Sequence, residues 1–242
     1  MNNYDEVQQL DESSLNETGE ILAVMRINES GKYQICDYLN TASGTSSTVK
    51  GETVDEAWRQ RMCEWMYGVV DHCNFRRDVV AVSAAYLDLC LTKGNDVIHS
   101  RRSYQLAAMT ALYLAMKVYD TSYVKLESLV KLGRGLFRSE DVIKMEQQIL
   151  TNLQWNVHPP TTMCFLRHYI RLFPSVLSPS TSYMIAEISR FVAEISVCLY
   201  KFVKFPRSVI ACKFTKTVEY YFMDVVSHIL ICIHRLCSAY CH

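Results

Sequence analysis

An all-helical fold is the expectation, and two observations carry it. From Asp55 onward apolar residues recur at intervals of three and four, the spacing that lines one face of an α-helix. Glycine and proline are scarce over the same stretch, and the period-two alternation of strands is hard to find. A first helix is expected through Trp58, Met62, Trp65, Met66 and Val69, which share one broad face while Glu64 and Asp71 point elsewhere. A second runs from about Asp78 to Leu91, ahead of Gly94 and Asn95. The third, about Ser100 to Tyr119, carries Ala107, Ala108, Ala111 and Ala115 among larger apolar residues; apolar on nearly every side, it must be surrounded. The fourth and fifth span about Lys125 to Leu132 and Ser139 to Leu153, with Ser139 as N-cap before Glu140 and Asp141.

Pro159 and Pro160 stop this five-helix unit, and Thr161 or Thr162 can cap the next helix, which is expected to reach about Phe173. Further helices are expected over about Thr181 to Tyr200 and from Pro206 to about Tyr221, with proline at the permitted first turn, before a last apolar segment reaching His242. Upstream, residues 1 to 20 are acidic and amide-rich with little to bury, Ile21 to Asn40 has the composition of a short helix, and Thr41 to Gly51 is a Thr/Ser/Gly run typical of linkers. The expected division is thus an acidic tail and linker (1–54), a five-helix unit (55–158) and a second helical unit (159–242). The second has fewer residues than the first, so a partial repeat is expected.

Net charge is zero, but the sum hides an asymmetry. Residues 1–57 hold 11 acidic and 3 basic side chains, whereas residues 58–242 hold 14 acidic and 22 basic. A basic body attracts either nucleic acid or an acidic protein surface. The first twenty residues carry six acidic side chains and no basic one, unlike a secretory leader, so the ten cysteines are expected to be reduced, intracellular thiols. The most apolar stretch, Tyr183 to Phe205, is broken by Glu187, Arg190, Glu194, Lys201 and Lys204, so no membrane span is expected.

Candidate chemistry is sparse. The tail holds His228, Cys232, His234, Cys237, Cys241 and His242, but on an apolar helix cysteines are more often small core residues, and the spacing fits no standard zinc finger. Cys164 and His168 read the same way. Gly133-Arg134-Gly135 lacks the glycine and lysine of a phosphate loop, and no nucleophile with a paired base stands out. Neither an enzyme, a metal nor a cofactor is expected.

Ordered motifs point elsewhere. Trp58-Arg59-Gln60-Arg61-Met62-Cys63-Glu64-Trp65 resembles the Met-Arg-Ala-Ile-Leu-x-x-Trp that opens the cyclin box. Tyr86-Leu87-Asp88 resembles the tyrosine-hydrophobic-aspartate ending its second helix. Gln105-Leu106 and Leu114-Ala115-Met116-Lys117 resemble Leu-Gln-Leu and Leu-Ala-Ser-Lys, and Met145-Glu146, Leu150 and Trp155 match its Met-Glu, leucine and closing aromatic. Pro206-Arg207-Ser208-Val209-Ile210-Ala211 resembles the Leu-Pro-Ser-x-Ile-Ala of the second repeat. The chain is therefore identified by resemblance as a cyclin, with a five-helix cyclin box and a partial second cyclin-like repeat.

The resemblance implies a regulatory subunit that binds and activates a cyclin-dependent protein kinase in cell-cycle control, acting in nucleus and cytoplasm. Kinases need a lysine to glutamate pair that forms when their αC helix packs inward, and cyclins hold that helix. It implies kinase contacts at Lys117 and Glu146 over an apolar floor of Leu114, Val118, Leu150 and Trp155. Trp58, Met62, Trp65, Tyr104 and Gln105 match the groove that takes Arg-x-Leu-type segments of substrates or inhibitors, although Gly68 stands where groove-bearing cyclins often have an acid. Arg59 and Asp88 are implied to form a buried structural pair, with Leu106 a further signature position. The competing expectation is a cyclin-fold transcription factor contacting DNA or the transcription machinery through its basic body; the docking pair Lys117 and Glu146 argues against it, and nucleic acid is not the expected partner.

Overall fold

Local chemistry sets where the helices begin. The computed structural model describes residues 3–41, 54–93, 100–120, 124–172 and 179–217. Among them every regular element is helical: α1 (Asn3–Ser30), α2 (Tyr38–Thr41), α3 (Glu56–His72), α4 (Asp78–Thr92), α5 (Arg101–Tyr119), α6 (Leu126–Leu132), α7 (Ser139–Asn152), α8 (Thr162–Arg171), α9 (Pro179–Cys198), a 3-10 turn (Tyr200–Phe202) and α10 (207–217). Asp55 caps α3, its carboxylate accepting from the Trp58 N–H at 2.7 Å. Ser100 and Ser103 cap α5 reciprocally, and Thr161 caps α8 through the Cys164 N–H. The expected Ser139 cap is replaced: Ser139 is the first helical residue, and Asp141 reaches back to accept from the Arg138 N–H at 2.8 Å. An acid at this position satisfies an orphan donor and complements the helix dipole at once.

α5 is enclosed as expected, with every residue from Ala107 to Met116 buried between α4, α3 and α7. The enclosure of α4 is as complete. All residues from Val79 to Cys90 are buried, because α4 packs not only on α3, α5 and α7 but also on α8 and α9 of the second unit. Alanines at 81, 84 and 85 keep that double-sided approach close.

The N-terminal expectation needs correction. Residues 1–20, read as having little to bury, run into Ile21–Ser30 as one helix: α1 is a 28-residue helix packed on α8. Its buried row, Thr18, Leu22 and Glu29 with half-buried Met25 between, follows helical spacing. Leu22 joins Phe165 and Leu166 of α8, Ala193 of α9 and Ala211 of α10 in a second core. Glu29 accepts from the Ser208 N–H at 3.1 Å and the Ser208 hydroxyl at 2.5 Å, capping the start of α10. Two of the four residues in this row are polar, so composition hides it. The linker beyond Thr41 and the apolar segment from Val218 to His242 lie outside the described residues.

One buried ion pair ties the two units together. Arg59 of α3 meets Asp88 of α4 in a fork, Nε to Oδ1 at 2.9 Å and Nη2 to Oδ2 at 2.8 Å, with side chains only 3% and 5% exposed. Its remaining nitrogen donates to the carbonyls of Val197 and Cys198 at the end of α9, at 2.9 and 3.3 Å. The Tyr38 hydroxyl donates to Asp88 Oδ1 at 2.7 Å, and the Tyr38 ring meets Tyr200 edge-on at 5.3 Å. Burial opposes the Arg59 charge, but the adjacent Asp88 carboxylate holds its pKa above the ordinary arginine value.

Two outcomes follow for stability. Replacing Asp88 by Leu alone strands a buried guanidinium and is expected to cost about 3–5 kcal/mol. The paired change Arg59→Met with Asp88→Leu should cost less than that single change in urea unfolding at constant m; an equal or larger loss would refute the pair's role. Leu22→Ala is expected to cost about 2–5 kcal/mol, whereas exposed Val24→Ala should stay within about 0.5 kcal/mol. Equal effects at the two positions would mean that α1 does not seal the second core.

Candidate functional site

The last turn of α5 and the middle of α7 lie side by side, and this places Lys117 against Glu146. Their side chains form an ion pair, 35% and 16% exposed respectively. Lys117 Nζ also stands 4.5 Å from the centre of the Tyr113 ring, one turn earlier on α5. The ammonium is thereby held by a carboxylate and a ring face while keeping part of its surface open. Leu114, one turn before Lys117 on α5, is buried in the main core, and Val118 and Leu150 are half-buried against that core.

Trp155, matched to the same floor, stands at the surface rather than beneath the pair. It follows α7 in a turn where both Gln154 and Trp155 adopt left-handed backbone, φ +51° and +60°. The turn is pinned by the Trp155 N–H on the Leu150 carbonyl at 3.0 Å, and it leaves the indole 72% exposed. A non-glycine residue in this conformation costs energy, and an exposed tryptophan hides little apolar surface. α7 also presents exposed Ile143 one turn before Glu146, so Ile143, Glu146 and Leu150 form an outward row at i, i+3 and i+7. Sequence reading missed Ile143, although its spacing from Glu146 was the available signal.

The residues matched to a substrate groove divide. Met62 and Tyr104 are buried, Tyr104 at 1% exposure, so Tyr104 offers no surface to a ligand; it packs in the main core between α3 and α5. Trp58, Trp65 and Gln105 are half-buried. Guanidinium groups flank Trp58, those of Arg61 and Arg101 lying 5.9 and 5.1 Å from its ring, and its buried indole nitrogen has no hydrogen bond among the described residues. Arg101 is balanced by Asp55 at 2.8 Å, and a Cβ on Gly68 would meet nothing within 4 Å. A basic Arg-x-Leu-type segment would therefore meet the Arg61 guanidinium at this face, while Arg101 is already paired with Asp55. Leu106 is half-buried between the main core and the α6–α7 side.

Among the described residues no group of three or more His, Cys, Asp or Glu could hold a metal ion, and no helix is long and apolar enough to cross a membrane. Cys164 is half-buried beside the Thr161 hydroxyl. The Cys/His-rich tail lies outside the described residues.

The backbone defines the class first. It is similar to a viral cyclin from herpesvirus saimiri, with a TM-score of 0.56 at 16% identity over 69% of this chain and 70% of that one. It is also similar to a chain of the CAK complex of Chaetomium thermophilum bound to ATP-gamma-S, with a TM-score of 0.51 at 14% identity over 87% of this chain and 70% of that one. This is the cyclin fold.

The chain belongs to the cyclin family: the family model "Cyclin, N-terminal domain" matches residues 20–158 and "Cyclin, C-terminal domain" matches residues 160–238. The second match passes Val218, where the sequence reading finds no further resemblance. Among curated proteins, the chain is 24% identical over 187 residues to G2/mitotic-specific cyclin-2 of Medicago sativa, covering 77% of this chain and 54% of that protein. It is 23% identical to Cyclin-A1-4 of Oryza sativa subsp. japonica, over 77% of this chain and 49% of that protein. It is 25% identical to Cyclin-B2-1 of Arabidopsis thaliana, over 69% and 37% respectively. The chain thus spans about half the length of these relatives, or less.

Tyr104 and Tyr38 give this geometry a pH signature. Burial raises the pKa of both well above the ordinary tyrosine value, and at Tyr38 the Asp88 carboxylate adds to it. A raised folded-state pKa contributes stability that is complete below the unfolded value, about 10, and is lost as pH rises beyond it. Far-UV dichroism is expected to show unfolding in strong alkali, above about pH 10, and absorbance titration should show Tyr104→Phe removing no tyrosinate step near pH 10. Loss of such a step would place Tyr104 at the surface.

Proposed function

We propose that this chain is the regulatory subunit of a cyclin-dependent protein kinase in cell-cycle control, working in nucleus and cytoplasm and contributing contacts rather than chemistry. The observation that carries this reading is the Lys117–Glu146 pair, half-open to solvent, with Leu114, Val118 and Leu150 alongside on α5 and α7. A charge pair held at the edge of apolar surface can exchange part of its mutual hydrogen bonding for main-chain groups of a partner helix, and charge-assisted bonds of this kind are strong. Ile143 and Trp155 extend the same face with apolar surface that water covers in the free chain. Packed against the kinase αC helix, such a face would hold the inward position in which the kinase's own lysine and glutamate pair. Membership of the cyclin family and relatives named as mitotic, A-type and B-type cyclins support the reading.

The groove around Trp58 is proposed only as a secondary contact, because Met62 and Tyr104 are buried and Arg61 stands beside the ring.

Pull-down of the purified chain against cyclin-dependent kinases from a dividing-cell extract, followed by histone-peptide phosphorylation, tests the proposal. Lys117→Glu and Glu146→Lys should each weaken kinase association by at least about thirtyfold, the loss of about 2–5 kcal/mol expected when one partner of an interfacial charge pair is removed. Helicity should be unchanged in both. The double exchange restores a pair within the chain and should still bind poorly, because the polarity presented to the kinase is reversed. Kinase bound equally by all forms overturns the assignment of these residues. Absence of any kinase, together with DNA binding that falls steeply with salt, would favour a transcription factor instead.

A further inference from the structure

The charged side chains of the second unit divide into those with partners and those without. Arg77 is taken by Asp71 and Glu194, Arg167 by Asp78, and Arg190 by Glu187. Arg26 of α1, Lys204 before α10, and Arg207, Lys213 and Lys216 on α10 form no ion pair among the described residues. Arg171 and Lys201 also form no ion pair among the described residues and lie outside the cavities lined by the other five, which are not scattered. All line two adjoining cavities between the C-terminal half of α1 and α10, of about 440 and 390 Å3, which share Arg26, Ser208 and Val209 and so run together as one groove.

Arg207 makes the groove more than a run of surface cations. It is half-buried at the start of α10, between the larger cavity and a small one of about 40 Å3 beside the Arg59–Asp88 pair. Burial works against its charge and draws its pKa below the ordinary arginine value. Its guanidinium forms no hydrogen bond within the described residues, and the two carboxylates close enough to act on it are both engaged elsewhere: Asp88 on Arg59 and Glu29 on Ser208. A desolvated guanidinium without a partner costs free energy that a bound anion would return. Glu29 is the one acid lining the groove among the described residues, so the field there is positive.

The floor selects the kind of anion. Exposed Ile27, Phe205 and Val209, with half-buried Ile35 and Val203, share the lining with the cations. Aliphatic surface outweighs exposed aromatic surface, whereas single-stranded nucleic acid is held on successive aromatic faces. A groove lined by both aliphatic and cationic side chains fits a peptide that carries both aliphatic side chains and carboxylates.

We propose that the groove between α1 and α10 is a docking site for an acidic, aliphatic peptide segment of a partner protein, with a carboxylate on Arg207 and aliphatic side chains on Val209 and Ile27. The site lies on elements other than α5 and α7, so it can be occupied whether or not the Lys117 face is engaged.

The test is titration of the full chain with a fluorescein-labelled peptide of alternating glutamate and leucine, read by anisotropy, against versions with glutamine for glutamate and with serine for leucine. Saturable, salt-sensitive binding is expected, weakened at least about tenfold by Arg207→Gln and by Lys213→Glu with Lys216→Glu, and by either peptide substitution. Lys213 and Lys216 are exposed, so their variant keeps the test valid if Arg207→Gln fails to fold. Lys144→Glu on α7 should leave binding unchanged. Absence of saturable binding, or binding indifferent to the reversals, overturns the proposal. So does displacement of the peptide by single-stranded RNA at lower concentration than by unlabelled peptide, which would make the groove a nucleic-acid site.

Discussion

A single guanidinium sets the geometry on which both helical units depend. Arg59 is taken out of water with Asp88, and the attraction between the two does not by itself repay the desolvation of both. What completes the balance is that every Arg59 nitrogen finds an oxygen, two on Asp88 and two on the last carbonyls of α9. Those carbonyls would otherwise be orphans of a helix end. The same side chain therefore joins α3 to α4 within the first unit and terminates a helix of the second, and neither unit can shift without leaving a buried charge or a buried carbonyl unmatched.

That constraint explains why α4 is buried on all sides. A helix used by one unit alone needs one apolar stripe, whereas α4 faces α5 on one side and α8 and α9 on the other. Small residues at Ala81, Ala84 and Ala85 suit the side toward the second unit, while Tyr86 reaches out to donate to the Val157 carbonyl at 2.6 Å, just where the chain leaves the first unit. Arg77 repeats the bridge at the other end of α4: it pairs with Asp71 and with Glu194 of α9 while lying 4.6 Å over the Tyr67 ring. α4 is thus clamped to α9 near both of its ends.

Sequence periodicity was enough to place α3 to α7, because each has a long apolar row or, for α5, apolar residues on nearly every side. The start of α8 was legible from Thr161, a side-chain cap with a local spacing. The α1 contribution was not, since its buried row is half polar and its partners in α8, α9 and α10 are more than a hundred residues away. Lys117 and Glu146 were found through motif resemblance, but nothing local says that they meet each other or that Tyr113 supports the ammonium. What motif resemblance could not show for Trp155 is its setting: the backbone turns left-handed at Gln154 and Trp155 and leaves the ring exposed. Carbonyl partners such as Val197 and Cys198 have no sequence signature, so the role of Arg59 in joining the two units could only be seen in three dimensions.

The basic surplus of residues 58–242 was ambiguous as a sum and becomes informative once it is sorted by position. Arg59, Arg77, Lys117 and Arg167 each face a carboxylate of the same chain and hold elements together, so their charge is largely cancelled before any partner arrives. The charge that remains uncancelled lines the α1–α10 groove, with Arg207 reaching the small cavity beside the Arg59–Asp88 pair. Net charge governs how a protein meets solvent, salt and distant partners, but recognition follows charges that are both fixed and unspent. In the roles proposed for them the two cases would differ: the Lys117–Glu146 pair would give up part of its mutual hydrogen bonding to a partner, whereas the groove beside Arg207 would only be filled.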